Sequence, residues 1–116
     1  MITGTVDDPT LAALYAGAEC LLHAAWLEGF GLTALESLAA GTPVVGYRAG
    51  AVAEVVGDAG LLVDDRDGEA LGEALAALLD DPALQAQLRA RAKPRAAHFS
   101  WDRAADDTLA IYRSLT

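Results

Sequence analysis

The sequence predicts an α/β fold: a parallel sheet of about four short strands, helices on its faces, and a helical C-terminus. Three observations point there. Short apolar runs at Cys20–His23, Pro43–Tyr47 and Gly60–Val63 alternate with stretches of helical period, the pattern that builds βαβ units and a parallel sheet. Alanine and leucine dominate those stretches, which favours helix. The chain has 116 residues, the size of one domain and enough to bury a core.

The elements follow in order. Met1 to Thr5 reads as a short β-like segment ending in a Gly-Thr turn. Asp7, Asp8 and Pro9 form a helix start, with an acidic cap and a proline in the first turn. Leu11, Leu14 and Tyr15 share a face of that helix, and Gly17 closes it. Cys20 to His23 is a buried strand, and Trp26 to Gly31 a loop. Leu32 to Ala40 is helical, with Leu32, Leu35 and Leu38 on one side, and Gly41 ends it. Pro43 to Tyr47 is the next strand, its proline tolerated at the first position. Val52 to Val56 is a short helix, Gly57-Asp58 a turn, and Gly60 to Val63 a strand.

Three helices close the chain. Asp67-Gly68-Glu69 opens one whose core positions are Leu71, Leu75, Leu78 and Leu79. Asp80-Asp81-Pro82 stops it and starts the next, which Pro94 is expected to kink or end near Lys93. Ser100 caps the last, with Leu109 and Tyr112 on its apolar face. The chain thus opens with almost no first strand and ends in helices with no strand to cover. The reading is one truncated domain over residues 1–116.

Composition narrows the function. Half the residues are apolar (53%), and the net charge is −9. That balance argues against nucleic acid, whose phosphates need lysine and arginine, and against an anionic membrane surface. No lysine or arginine precedes Arg48, so a diphosphate bound by the first half would have to be held by backbone N–H groups. Cys20 is the only cysteine, which excludes an internal disulfide and a cysteine metal cluster and fits a cytoplasmic protein; it reads as a small core residue. The two histidines, His23 and His98, suggest no metal site. No signal peptide or transmembrane segment is expected.

Open α/β sheets bind ligands at the carboxyl ends of their strands. There the chain sets Glu28-Gly29-Phe30-Gly31-Leu32-Thr33, running directly into a helix. The glycines let backbone approach a ligand, and the helix N-terminus offers N–H groups suited to phosphate or sugar oxygens. Glu36 follows eight residues after Glu28. Ionised carboxylates accept hydrogen bonds from neighbouring sugar hydroxyls, although two glutamates at this spacing more often mark a solvated helix face.

The stretch Glu28-Gly29-Phe30-Gly31-Leu32-Thr33-Ala34-Leu35-Glu36, followed by Ser37 to Val45, resembles the E-x7-E signature of the retaining GT-B glycosyltransferases of family 4. The segments Asp8 to Ala18, Ala53 to Asp64 and His98 to Asp102 resemble the family's flanking elements, in the family's order. The resemblance implies a Rossmann-like sheet from the C-terminal, donor-binding domain. It implies transfer of a sugar from a nucleotide-diphosphate sugar with retention, and neither metal nor cofactor. Glu28 would contact the donor sugar and is the candidate catalytic residue, whether by position alone or in the chemistry. Gly29, Phe30, Gly31, Leu32 and Thr33 would face the sugar and distal phosphate, and Glu36 would hold the ribose.

Departures from the family pattern shape the expectation. The basic residues that clamp the diphosphate have no counterpart before Arg48, and the N-terminal acceptor domain is absent. Gly50, Ala51 and Ala53 replace the family's Gly-Gly and Pro, which loosens the expected turn. The site therefore reads as half built, active only with a missing N-terminal half or subunit that docks on the last helix. Arg48, just past the third strand run, is a candidate diphosphate contact; its simpler reading is a surface arginine paired with an acid. The alternative function is a non-catalytic nucleotide- or sugar-binding module or a truncated remnant. Gly29 to Ala34 also fits the dinucleotide pattern G-x-G-x-x-A, but Ala24 to Glu28 intervene between strand and glycine. A receiver-type domain lacks its acidic pair and late lysine. Arg89, Arg91, Lys93 and Arg95 read as a solvated face. Trp26 and Phe30 either edge the sugar site or pack on the core.

Overall fold

The computed structural model describes residues 1–64 and 66–116. Three parallel strands, β1 (Leu21–His23), β2 (Val44–Tyr47) and β3 (Gly60–Val63), lie in the order β1-β2-β3. Leu21 pairs with Val44, and Val44 with Gly60, so the three carboxyl ends share one edge. Among the described residues six helices accompany them: α1 (Asp8–Gly17), α2 (Leu32–Ala39), α3 (Val52–Val56), α4 (Gly68–Asp80), α5 (Pro82–Ala96) and α6 (Trp101–Ser114). No helix among the described residues is long and apolar enough to cross a membrane.

The core follows from strand alternation. Val44 of β2 and Leu62 of β3 face a cluster built with Ala34 and Leu38 of α2, Val52, Val55 and Val56 of α3, and Ala92 and Ala96 of α5. Val45, Tyr47, Leu61 and Val63 face the opposite cluster, completed by Leu71 and Leu78 of α4 and Leu88 of α5. All four β2 residues are buried, as expected of a central strand sandwiched between layers.

Helix starts obey their sequence signals. Asp7 caps α1 by accepting from the Thr10 N–H at 2.9 Å, and hydrogen bonding from the Thr10 side chain first and this N–H second holds its carboxyl below the usual range. Asp67 caps α4 through the Ala70 N–H, Asp81 caps α5 through the Ala83 and Leu84 N–H groups, and Ser100 caps α6 through the Arg103 N–H.

The α/β class with a parallel sheet holds, and among the described residues that sheet has three strands. Several expectations need correction. Met1 to Thr5 is not a strand: its residues are exposed, and Gly4 turns the chain at φ 68°. Leu79 is 46% exposed, because Leu71, Leu75 and Leu78 already fill the side of α4 that meets the sheet. Leu14 and Leu32, read only as sharing a helix face with their neighbours, are exposed as well, and α2 buries Ala34, Ser37 and Leu38. Cys20 is half-buried at the rim of the second cluster, where burial first and the Glu19 charge second raise its thiol pKa, partly offset by Arg89.

Pro94 neither ends nor shortens α5, which continues to Ala96. Proline deprives the turn of one N–H, but Ala92 and Ala96 are buried on either side of it, and the Ala97 N–H bonds the Lys93 carbonyl. Tertiary anchoring outweighs one missing bond.

The α5 arginines are not a solvated face either. Arg89 donates to the Ala18 and Glu19 carbonyls, Arg91 to Asp58, and Arg95 to Val55 and Glu54. These carbonyls lie at the end of α3 and before β1 and β3, where the chain turns and backbone acceptors lack partners. The basic run thus staples the edge of the sheet remote from the strand carboxyl ends.

Candidate functional site

Three connections leave the carboxyl edge of the sheet: residues 24–31 after β1, 48–51 after β2, and the stretch from Asp64 after β3. The first carries the glycine turn. Gly31 is the N-cap of α2 in the left-handed conformation, φ 91° and ψ 41°, with no side chain bonded to the helix start. The Leu35 N–H is bonded to the Gly31 carbonyl, so α2 begins there and its first-turn N–H groups are turned to the edge. A β-carbon on Gly31 would meet Val52 of α3 at 3.5 Å and Glu28 Cγ at 3.9 Å, so glycine also admits the close approach of α3. The turn is not sealed inside: Gly29, Phe30, Leu32 and Thr33 are exposed.

Glu28 is partly exposed, and its Oε2 lies 3.5 Å from Nε2 of His23. His23 ends β1 and is buried; its Nδ1 has no hydrogen-bond partner. The imidazole therefore backs the carboxylate from the sheet side and becomes its ionic partner when protonated. Residue 23 stands at the carboxyl end of a strand beside the glycine turn, a position that signals its proximity to Glu28 in the sequence itself.

Glu36 faces a different neighbour. Its Oε2 accepts a hydrogen bond from the Tyr15 hydroxyl at 3.1 Å, across the groove between α1 and α2. Burial chiefly, then the Glu36 hydrogen bond and charge, raise the Tyr15 phenol pKa. A tyrosine so far upstream carries no spacing signal, and sequence reasoning missed it.

Phe30 is half exposed and meets Phe99 edge to face, with centroids 6.1 Å apart; Arg95 sits over the other ring at 5.4 Å. Trp26 is 60% exposed, with the Arg66 guanidinium 5.3 Å from its ring. Arg48 is exposed and extends the sheet, its N–H bonded to the Val63 carbonyl and its guanidinium to the Leu62 carbonyl at 3.3 Å. The structure thus brings Glu28 to His23, Gly31 to α3, Phe30 to Phe99 and Glu36 to Tyr15, and ties Arg48 to β3. No group of three or more metal-ligating side chains occurs among the described residues.

An α/β unit with a glycine-capped helix opening at the strand carboxyl edge is the class of site that receives anionic and polyhydroxylated ligands. The model of the family "Glycosyl transferases group 1" matches residues 1–95, and the chain belongs to that family. It is 37% identical over 112 residues to the O-antigen chain mannosyltransferase B of Escherichia coli, covering 97% of this chain and 29% of that protein. It is 43% identical over 108 residues to D-inositol 3-phosphate glycosyltransferase 1 of Catenulispora acidiphila, covering 91% of this chain and 26% of that protein.

Among solved structures, sucrose-phosphate synthase from Thermosynechococcus elongatus superposes with a TM-score of 0.83 at 32% identity, over 99% of this chain and 30% of that one. Anabaena HepE in complex with UDP shares the fold, with a TM-score of 0.70 at 24% identity, over 89% of this chain and 29% of that one. The chain therefore spans under a third of the length of the relatives it matches. The fold it shares with them is the α/β unit of a GT-B glycosyltransferase.

Proposed function

We propose that this chain is the donor-binding unit of a retaining glycosyltransferase, taking a nucleotide-diphosphate sugar in the cytoplasm. The observation that carries the reading is the Gly31-capped start of α2 at the carboxyl edge of the sheet, flanked by Glu28 and Glu36. First-turn N–H groups and the positive helix end would meet the phosphate and sugar oxygens without a metal. Glu28, backed by His23, would accept from the sugar hydroxyls, with Phe30, Leu32 and Thr33 bordering that pocket. Glu36 would accept from the ribose diol. Family membership supports the nucleotide-sugar donor, as does the UDP bound to HepE.

Transfer would need an acceptor-binding half. In this reading that half docks on α6, whose Trp101, Leu109 and Tyr112 border an exposed groove. A second reading, a non-catalytic nucleotide- or sugar-binding module, is favoured by the bond that ties Arg48, the candidate diphosphate contact, to the Leu62 carbonyl.

Calorimetric titration of UDP-, GDP- and ADP-sugars into the chain tests the proposal. Binding that Glu36→Ala weakens about tenfold or more supports a ribose site. Absence of binding at millimolar ligand overturns the donor assignment. Transfer that appears only when an acceptor-binding half is supplied separates the enzyme from the non-catalytic module.

A further inference from the structure

We propose that Tyr15 is a positioning residue for Glu36: its hydroxyl orients the carboxylate across the α1–α2 groove so that the remaining acceptor capacity recognises a ribose diol. The inference rests on the donor-site reading above and extends it to a residue outside the glycine turn.

The geometry is a closed circuit of hydrogen bonds. The Tyr15 hydroxyl donates to Glu36 Oε2 at 3.1 Å. At the other end of the same residue, the Tyr15 carbonyl accepts from the Thr42 hydroxyl at 2.6 Å. The Thr42 carbonyl accepts from the Ser37 hydroxyl at 3.0 Å, and Ser37 adjoins Glu36 on α2. Ser37 and Thr42 are both fully buried. The phenol is thus carried on a backbone fixed to the same helix that carries its acceptor.

Direction matters as well. Side chains on a helix lean toward its N-terminus. Tyr15 lies in the last turn of α1, and its hydroxyl reaches Glu36 just past the middle of α2. Leu11, Ala12 and Tyr15 form one wall of this groove, and Glu36, Ala39 and Ala40 the other. A free glutamate on such a wall would sample several rotamers and lose that freedom on binding. The phenol removes part of that cost beforehand. It occupies one lone pair of Oε2 and leaves Oε1, and the rest of Oε2, to accept from two neighbouring hydroxyls.

A positioning role predicts more than weaker binding: it predicts loss of discrimination between ribose and deoxyribose. The probes are UDP, GDP and ADP and their 2′-deoxy counterparts, titrated against the full chain. The wild type should prefer the best-bound ribonucleotide to its deoxy form. Tyr15→Phe, which keeps the ring and the backbone circuit, should weaken that ribonucleotide about 3- to 10-fold and leave the deoxy form unchanged. Equal weakening of both, or no change in either, overturns the proposal.

A second measurement needs no nucleotide. Followed by ultraviolet difference spectroscopy, the Tyr15 phenol should titrate lower in Glu36→Gln than in the wild type; identical titration removes the geometric basis. If the wild type binds none of the six nucleotides, the donor-site reading fails and takes this extension with it. If it binds them and Tyr15→Phe keeps full discrimination, only the extension fails.

Discussion

Gly50 leaves no room for a side chain beside Glu28: a β-carbon built there would fall on the Glu28 carbonyl oxygen. The turn after β2 and the loop after β1 are thereby locked together at the carboxyl edge of the sheet. Gly50 also holds φ at +55°, which an L side chain rarely adopts. Although Gly50-Ala51 departs from the family's Gly-Gly, the packing against Glu28 is tight on this side.

Gly50→Ala combines that collision with backbone strain and should cost about 2 kcal/mol or more in urea unfolding. Gly29→Ala is the control. Its β-carbon meets nothing within 4 Å, and the loss should stay within about 0.5 kcal/mol.

Pro94 is a defect that α5 tolerates. Pro94→Ala restores an N–H to the helix and removes the ring from the Ala90 carbonyl. Residue 94 is exposed, so nothing in the core changes. The variant should gain about 1 kcal/mol or more, read as a raised melting temperature. An unchanged or lower melting point would mean that the helix bends around the proline to good effect.

Arg95 makes two carbonyl contacts at the end of α3 and lies over Phe99. Arg95→Ala strands both carbonyls and should destabilise by about 2 kcal/mol, whereas Arg113→Ala on the exposed last helix should stay within about 0.5 kcal/mol. Parallel denaturant curves decide this.

The Asp7 cap gives a pH dependence of known sign. Its carboxyl pKa is lowered in the folded state by hydrogen bonding from the Thr10 side chain first and the Thr10 N–H second. The contribution is therefore present above the unfolded value of about 3.9 and fades as pH falls through the folded value. The stability difference between wild type and Asp7→Ala should shrink as pH is lowered from 5 toward 2. Side-chain NMR should show Asp7 titrating below free aspartate.

Much of the fold was legible because period and punctuation agree. The apolar run Pro43 to Tyr47 was enough to place β2, though not its central position, and Val52–Val56 keeps the bounds its letters suggest. Capping residues were legible because their partners lie three residues away. What escaped depends on contacts distant in sequence. Arg89 and Arg95 read as solvated because their acceptors are backbone carbonyls 71 and 40 residues away. Leu79 read as core because period alone does not say how wide a stripe the sheet will cover. The glycine turn announced itself, but Tyr15 and Glu36 are brought together only by the docking of α1 on α2.

The last helix has a hydrodynamic consequence. No residue of α6 is buried, so it stands off from the core, and the molecule measures 54 Å along one axis against 32 and 29 Å across. The Cα radius of gyration is 15.6 Å, while a spherical chain of this length would have about 13.4 Å. In solution scattering the chain should therefore tumble as a prolate particle, and removing residues 101–116 should bring it close to the spherical value with little change in melting temperature.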